Sequence, residues 1–457
     1  MNIPSDRSPA GKLGLAIAIG ILLAIPIFAV WFLVYDRQSQ SQEASRSITA
    51  GWGDAQSMSG PSLVIPYRAT ATETVVENGQ TVTRSRDVAR ELIIAPQVSK
   101  LDTRIMPELR KRSIYEAVVY DVHAKGAARF ILPPELVRAG IDPATLDLTR
   151  AELRFGLSDP RGLGANPRVS AGGRPLALQP GQGSSGGKGF FAWIDASSIR
   201  AQPLIVDYAF NFRGNRSLDL LPAAGQTDWT VSSPWPHPSF GGAFLPESRR
   251  VSDKGFAARY RIGNLSLGQS LVSTALPGEA ASNPRQPEAM ADGSTPNGAQ
   301  ISLIQPVDLY SQVDRAAKYG FLFIGFTFLA LLMFDVIGGV RVSAVEYLLM
   351  GAALVLFFVL LLAFAEVIGF TPAYLLASAA IAGLNTAYSA AVLKSWRRAW
   401  FIGGLLVALY ALLYILLSLE AFSLLIGSLL LFAALAGVMY ATRNVDWSGR
   451  REAEQAA

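Results

Sequence analysis

Long apolar segments constrain this chain more than any other feature of its sequence. Leu13–Tyr35 holds no charged side chain and Tyr319–Thr442 is sparsely charged, whereas the region between them resembles an ordinary water-soluble protein. Charged residues make up 16% of the chain, against roughly 25% in soluble proteins. A helix needs about 20 apolar residues to cross the ~30 Å hydrocarbon core of a bilayer. The chain is therefore predicted to be a polytopic membrane protein.

The first apolar segment fits either a cleaved signal peptide or an uncleaved anchor. A signal peptide has an apolar core of about 7–15 residues that ends at a small-residue cleavage site. Leu13–Tyr35 is longer and ends in the bulky residues Trp31, Phe32 and Tyr35. It therefore predicts an uncleaved transmembrane helix over residues 13–35, preceded by a short cytoplasmic N-terminus at residues 1–12.

Residues 319–442 are predicted to form a bundle of five further transmembrane helices, which makes six in the whole chain. The five apolar runs are Tyr319–Val340, Val345–Ala365, Pro372–Leu393, Trp400–Leu417 and Phe422–Tyr440. Residues 443–457 follow the bundle as a tail.

Lysine and arginine residues predict the orientation, because short cytoplasmic loops carry an excess of both. With the N-terminus inside, the inner flanks hold Arg7, Lys12, Arg341, Lys394, Arg397, Arg398, Arg443, Arg450 and Arg451. The two short outer loops, residues 366–371 and 419–421, hold neither. Both termini are therefore predicted to be cytoplasmic, with residues 36–315 outside the cytoplasm. The net charge of +5 then reflects membrane topology and not nucleic-acid binding.

Residues 36–315 are predicted to fold as a large β-rich domain, antiparallel and sandwich-like, because apolar and polar residues alternate in short runs. The clearest predicted strands are Ser62–Tyr67, Thr74–Val76, Thr81–Thr83, Glu91–Ala95, Tyr115–Val122, Ala151–Leu157, Phe190–Ile194, Leu204–Phe212 and Gly255–Ile262. Asn78-Gly79 favours a tight hairpin turn, and Pro180–Gly187 predicts a longer turn. Residues 277–300 lack bulky apolar side chains and predict a mobile insertion.

The sequence carries none of the residue patterns that usually mark an enzyme. It has no Cys and two histidines, His123 and His237, so one chain cannot build a thiolate site or a multi-histidine metal site. Phosphate-loop, zinc-protease and serine-nucleophile motifs are absent as well. A catalytic pair of carboxylates in the β-rich domain remains an alternative, but the sequence singles out no pair. We therefore expect no catalytic residue, no metal and no cofactor.

The segment Ser233–Pro246 is unusual because three prolines surround Trp235 and His237. Proline fixes φ and keeps the preceding residue extended, so the segment is predicted to be stiff. One interpretation is a rigid crossover that aromatic side chains anchor on the sheets. The other is a preformed recognition surface of Trp235, His237 and Phe240, since a stiff segment loses little entropy on binding.

Polar side chains at the predicted helices suggest two further sites. Arg315, Lys318, Glu366 and Glu420 all fall at the outer ends of spans or in outer loops. They predict either a juxtamembrane charge cluster that ties the outer domain to the bundle, or a solvated ring of charges.

Asn385 and Tyr388 lie near the middle of the fourth span. They could line a path through the bundle or simply pack between helices. An ion-driven transporter would need charged groups at that depth, and the sequence places none there.

Four motifs resemble those of the CreD family of bacterial inner-membrane proteins. They are Gly51–Tyr67, Pro234–Pro246, Gln305–Tyr310 continuing into Arg315–Ile324, and Met439–Trp447. They span nearly the whole chain in the order expected of the family. The resemblance implies a protein of the bacterial inner (plasma) membrane, with residues 36–315 in the periplasm. It also implies an association with a two-component sensory regulon and with envelope integrity, and no enzymatic activity is established for the family.

The chain departs from that family pattern at three places. Val367 stands where a histidine often follows the outer-loop glutamate. Ala421 stands where an acidic residue often follows Glu420, and Ser343-Ala344 replace a His-Pro pair. These departures remove titrating groups and count against a proton- or metal-based mechanism there.

Together these observations predict a non-enzymatic envelope-integrity and stress-response protein whose outer domain binds a periplasmic ligand or envelope protein. The inner loops are too short to hold a nucleotide- or DNA-binding domain. The alternative is a lipid or lipophile carrier that uses the bundle, with Asn385 and Tyr388 along its path. A membrane-bound hydrolase is the least supported reading. The expected partners are the lipid bilayer and an unknown periplasmic component, with no nucleic acid, and the sequence does not indicate an oligomeric state.

Overall fold

The computed structural model describes residues 9–77, 80–113, 115–138, 140–184, 188–275, 298–304, 309–336, 342–418 and 423–443. The chain divides into two compact units. One comprises Met1–Glu43 with Val307–Ala457, and the other comprises Ala44–Pro306. In the described residues the first unit is helical and the second consists mainly of strands.

The second unit contains seventeen described strands in two sheets. They are β1 (Gln56–Glu77), β2 (Gln80–Ile94), β3 (Val98–Arg112), β4 (Tyr115–Phe130), β5 (Ala151–Leu157), β6 (Arg168–Ala171), β7 (Arg174–Pro175), β8 (Leu178–Gln182), β9 (Lys188–Ile194), β10 (Leu204–Asn215), β11 (Ser217–Leu221), β12 (Gln226–Ser233), β13 (Pro238–Gly242), β14 (Ser248–Ser252), β15 (Gly255–Gly263), β16 (Val272–Ala275) and β17 (Ala299–Leu303).

The sheets are mostly antiparallel. The first runs β13-β17-β11-β1-β5-β9-β8, with β2 paired to β1 and β16 paired to β2. The second runs β14-β15-β12-β3-β4-β10-β6-β7. Two pairings, β1 with β11 and β3 with β12, are parallel, so the domain is mixed where the sequence predicted antiparallel strands.

One hydrophobic core is shared by both sheets. Strand β15 shows how the sequence builds it, since Phe256, Ala258, Tyr260 and Ile262 are buried while the residues between them are exposed. This is the alternation that a strand with one buried face requires. In the same core the Tyr260 ring stacks at 4.8 Å on Trp229 of β12. The predicted sandwich-like β domain is confirmed.

The helices are α1 (Pro9–Thr49), α2 (Asn264–Leu267), α3 (Leu309–Lys318), α4 (Gly320–Val336), α5 (Ala344–Ile368), α6 (Phe370–Val392), α7 (Trp396–Ser418) and α8 (Ser423–Thr442). Among the described residues, five helical segments are long and apolar enough to cross a membrane: Ala10–Thr49, Leu309–Val336, Ala344–Ile368, Phe370–Val392 and Trp396–Leu417. The sixth predicted span corresponds to α8 and stays a prediction.

Helix α1 packs on the bundle through one face. Its buried residues recur every three or four positions: Ala16, Ile19, Leu23, Ile27, Val30 and Val34. This spacing places them on one side of a helix. The opposite side exposes Ile21 and Phe32, 68% and 66% accessible, as expected of a surface that lipid covers.

Aromatic rings fill the centre of the bundle. Phe357 and Tyr410 lie 4.6 Å apart between ring centroids, and Phe323 lies 4.9 Å from Tyr410. The Tyr374 hydroxyl donates to the Tyr410 carbonyl oxygen at 2.6 Å. These contacts join α4, α5, α6 and α7 into one packed core.

Some local predictions need correction. Pro180 and the two residues after it belong to β8 and not to a turn, because β9 is close enough to pair with them. Ala299 and Gln300 belong to β17 and not to a mobile insertion, because β17 pairs with both β11 and β13. Residues 277–297 of that predicted insertion and the Asn78-Gly79 turn lie outside the described residues.

Candidate functional site

The motif Gly51–Gln56 forms a polar cluster at the start of β1. Gln56 is fully buried. Its amide nitrogen donates to the carbonyl oxygens of Asp159 and Arg213 at 3.1 and 2.8 Å. Its amide oxygen accepts from the backbone N–H of Asp159 and from the Ser158 hydroxyl, both at 3.1 Å. One side chain therefore satisfies backbone groups of β10 and of the turn after β5, and we call this group the Gln56 cluster.

Trp52 lies beside that cluster between two cations. The Arg110 and Arg213 guanidinium groups sit 3.9 and 4.3 Å from the centroid of its ring, and its indole N–H donates to the Tyr120 carbonyl oxygen at 3.3 Å. Gly53 follows with φ of +126°, a conformation open to glycine. The Gly53 carbonyl oxygen accepts from the Asn215 side chain at 2.7 Å.

Charge also shapes this region. The Arg161 guanidinium bonds the Asp159 carboxylate at 2.9 and 2.8 Å. That hydrogen bond, together with the backbone N–H groups of Asp54 and Arg161, holds the pKa of Asp159 below its ordinary value. Burial raises the pKa of Tyr120 well above its ordinary value, so its hydroxyl stays protonated and donates to the Ser217 carbonyl oxygen. The sequence of this motif resembles that of a known family, but it does not indicate this role in packing.

The predicted recognition surface divides into two half-buried aromatic anchors and one exposed group. Trp235 is half-buried and its indole N–H donates to the Ile304 carbonyl oxygen at 3.0 Å. Phe240 of β13 packs edge-on against Phe256, with centroids 5.6 Å apart. His237 is exposed. The aromatic residues therefore fasten the segment to the core, and the imidazole faces solvent.

The predicted juxtamembrane charges acquire partners that the sequence analysis did not name. Glu366, at the end of α5, accepts from the Tyr310 hydroxyl at 3.3 Å and lies 3.9 Å from the Arg37 guanidinium. Lys318 pairs with Asp314 at 2.6 Å on its own helix. Arg315 donates to the Ser311 carbonyl oxygen at 3.3 Å. Glu420 lies outside the described residues.

A second ion pair joins α1 to the other end of the bundle. The Lys12 ammonium lies 2.8 Å from Asp335, whose carboxylate is 3% exposed. These residues are 323 positions apart in the chain, so no local pattern connects them. The sequence did contain one indication of this pair, because Lys12 and Asp335 both fall at the inner ends of predicted spans.

The predicted bundle-lining residues differ in exposure. Asn385 is 1% exposed, and its amide nitrogen has no hydrogen-bond partner among the described residues. Tyr388 is half-buried. Nearby on α6, Thr386 donates to the Ala382 carbonyl oxygen at 2.6 Å, and the Ser389 hydroxyl lies 4.0 Å from the Met350 sulfur. This arrangement is that of a helix packed between neighbours.

The described residues offer little for catalysis. Within them, no group of three or more His, Asp and Glu side chains is placed to hold a metal ion. His123 is exposed, and its Nδ1 lies 2.8 Å from the Asn211 side-chain oxygen. A cross-strand hydrogen bond between β4 and β10 accounts for this histidine.

Comparison with known proteins gives a match over almost the whole chain. A family model described as Inner membrane protein CreD matches residues 8–448. Inner membrane protein CreD of Escherichia coli (strain K12) is 31% identical over 431 residues, which cover 93% of this chain and 91% of that protein. A solved structure from Parabacteroides distasonis ATCC 8503 is 7% identical, covers 59% of this chain and 58% of its own, and has a TM-score of 0.22. A likeness at that level carries no argument.

Proposed function

This chain belongs to the CreD family of inner membrane proteins, and from this premise we propose that it supports envelope integrity and the stress response by binding a periplasmic component, without catalysing a reaction. The described residues support a binding role better than a chemical one. They combine a large rigid sheet unit with ion pairs and aromatic packing, and they assemble no nucleophile with a base.

The proposed topology has the sheet unit outside and both termini in the cytoplasm. The ion pairs of α1 support alternating spans: Lys12, near its start, meets Asp335 at the end of α4, whereas Arg37, some 25 residues later, meets Glu366 at the end of α5. At 1.5 Å per residue, that separation corresponds to about 37 Å, enough to cross the hydrocarbon core. The basic flanks then assign the Lys12 end to the cytoplasm.

The observation that carries the binding proposal is the exposed His237 held between two fixed aromatic residues. Trp235 is tied to Ile304, and Phe240 is tied into β13 and against Phe256. Since the segment is ordered before any partner arrives, binding there costs little conformational entropy. The proposed ligand-contacting group is the His237 side chain with the half-buried prolines on either side of it.

A photo-crosslinking residue placed at position 237 of the full-length protein tests this proposal in living cells. Lys254 offers a matched control, since it is also exposed and lies in the turn between β14 and β15. We expect a discrete adduct from position 237 and none from position 254. We also expect His237→Ala to lower survival under envelope challenge and Lys254→Ala to leave it unchanged. Equal adducts at both positions, or full survival with His237→Ala, would contradict the proposal.

The lipid-carrier alternative has less support at its predicted path. Asn385 is enclosed by protein, and the neighbouring aromatic core is closely packed. A cavity of about 380 Å³ lies instead between α1 and α4, and it touches neither Asn385 nor Tyr388.

A further inference from the structure

An apolar groove runs along the lipid-facing side of the first unit, between α1 and α4. Its volume is about 380 Å³. Small residues form much of its floor: Ala16, Gly20 and Ala24 on α1 face Gly325 on α4. All of its other lining residues are apolar as well.

The groove exists because Gly20 of α1 and Gly325 of α4 have no side chain to fill the space beside them. A Cβ added at Gly20 or at Gly325 would have no neighbouring atom within 4 Å. Two glycines that face α1 elsewhere behave differently, since a Cβ at Gly351 of α5 would collide with Leu23 and one at Gly320 of α4 would lie 3.5 Å from Ile27. Helix α1 is therefore packed closely on one face, and the space beside Gly20 is a gap that no side chain of these helices fills.

The length of the groove indicates what occupies it. On α1 it extends from Leu13 to Ala24, and on α4 from Phe321 to Leu332, which is about 17 Å at 1.5 Å per residue. Half of a ~30 Å hydrocarbon core is about 15 Å, so the groove spans one leaflet. The acyl chain of a phospholipid also lies within one leaflet, so its length matches that of the groove.

The positions of the two ends of the groove also agree with an occupant that lies within one leaflet. It begins next to the pair of Lys12 and Asp335 and stops near the middle of α1. Packing contacts, not the hydrophobic effect, stabilise association inside a membrane, and a flexible hydrocarbon chain can follow an irregular gap. Because Asp335 neutralises Lys12, the mouth of the groove has no free positive charge from this pair to select an anionic headgroup.

We propose that the groove is a retained-lipid site, which holds one acyl chain of a phospholipid from the leaflet on the Lys12 side. The site does not depend on the proposed periplasmic binding, and it differs in place from the carrier path first predicted through α6. The chain completes the packing between α1 and α4, so the bound phospholipid exchanges more slowly than the lipid around the other helices.

Photo-crosslinking from the lipid tests the site. The full-length protein is reconstituted in nanodiscs that contain a trace of phosphatidylcholine with a diazirine in its acyl chain, and the labelled peptides are identified by mass spectrometry. We expect labels concentrated on residues 13–24 and 321–332, compared with the exposed leucines Leu375 and Leu376 of α6. Unlabelled phosphatidylglycerol and phosphatidylcholine should compete equally.

Filling the groove supplies the decisive comparison. Gly325→Leu, and Gly20→Leu with Gly325→Leu, should lower labelling of the groove about fivefold or more. Gly383→Leu is the matched control, because Gly383 is also exposed with nothing within 4 Å of its Cβ position but lies on α6. Equal labelling of all helices, unchanged labelling in the filled variants, or crosslinks between two copies through this face would overturn the proposal. The single variant keeps the test valid if the double variant does not fold.

Discussion

Gln56 shows how much one side chain contributes to the sheet unit. Gln56→Ala would remove the acceptor of the buried Asp159 N–H and the side-chain donor to the Arg213 carbonyl oxygen, and each such loss costs about 1–3 kcal/mol. We expect the variant to lose about 3 kcal/mol or more in the free energy of unfolding of the sheet unit, measured by denaturant unfolding followed through tryptophan fluorescence. Gln179→Ala, at an exposed position on β8, should change stability by less than about 0.5 kcal/mol. Similar curves for the two variants would refute the assigned role.

The pair of Lys12 and Asp335 makes a second prediction at this scale. Lys12→Met leaves a buried carboxylate unpaired, which typically costs 3–5 kcal/mol. We therefore expect Lys12→Met to have a clearly lower melting temperature in detergent micelles. Lys12→Met combined with Asp335→Leu should restore most of the lost melting temperature. The exposed pair of Lys111 and Glu116 provides the comparison, since exposed pairs contribute about 0–1 kcal/mol. Failure of the double variant to recover would mean that the two side chains act separately.

Individual contacts of this kind were the part of the molecule least accessible to sequence reasoning. The prolines of this segment predicted that it is stiff, but not which of the side chains of Trp235, His237 and Phe240 would face solvent. Exposure of His237 depends on where β17 brings Ile304, and that is a matter of tertiary pairing. Glu366 was placed at the correct end of its span, yet its contact with Arg37 depends on how α1 is rotated.

At the scale of helices and strands, hydropathy predicted the apolar helices well, whereas the alternation of apolar and polar residues predicted only some of the strands. The predicted spans match α4 to α7 within a few residues because loss of charge marks the lipid boundary sharply. Helix α1 continues to Thr49, well past the predicted end of its span, because the apolar pattern reports only the part of a helix that lipid covers. Strand β3 was missed although it alternates, because its buried positions include Ser99 and Thr103.

Two adjacent glycines of α7 give a prediction about helix packing. A Cβ at Gly403 would collide with the Thr386 side chain of α6, whereas one at Gly404 meets nothing within 4 Å. Thr386 cannot turn away freely, because its hydroxyl is bonded to the Ala382 carbonyl oxygen. We expect Gly403→Ala to destabilise the bundle by about 1–3 kcal/mol, measured as thermal unfolding in micelles.

Gly404→Ala is the control for that variant and should be neutral or slightly stabilising, since alanine favours a helix over glycine. Thr386→Ala combined with Gly403→Ala should relieve the collision and restore stability. If both single glycine variants behaved alike, the close contact of α6 with α7 at this level would be disproved.

At the scale of the whole molecule, the direction of the chain through the membrane decides the biological meaning of every surface. The sheet unit can bind a periplasmic component only if it lies outside, and that placement rests on arginine and lysine residues in short loops. The chain contains no cysteine, so a single introduced thiol reports its own position without background. Ser252 of β14 and Lys394 between α6 and α7 are both exposed, and the proposed topology assigns them to opposite sides.

We therefore predict that, in whole cells with a permeabilised outer membrane, a membrane-impermeant maleimide labels the Ser252→Cys variant and leaves the Lys394→Cys variant unlabelled. Disruption of the inner membrane should make the second variant react as fast as the first, which shows that its thiol is accessible once the barrier is gone. The reverse pattern would place the sheet unit in the cytoplasm. It would then move His237 away from any periplasmic partner and assign the groove beside Lys12 to the outer leaflet, so this measurement constrains both proposals.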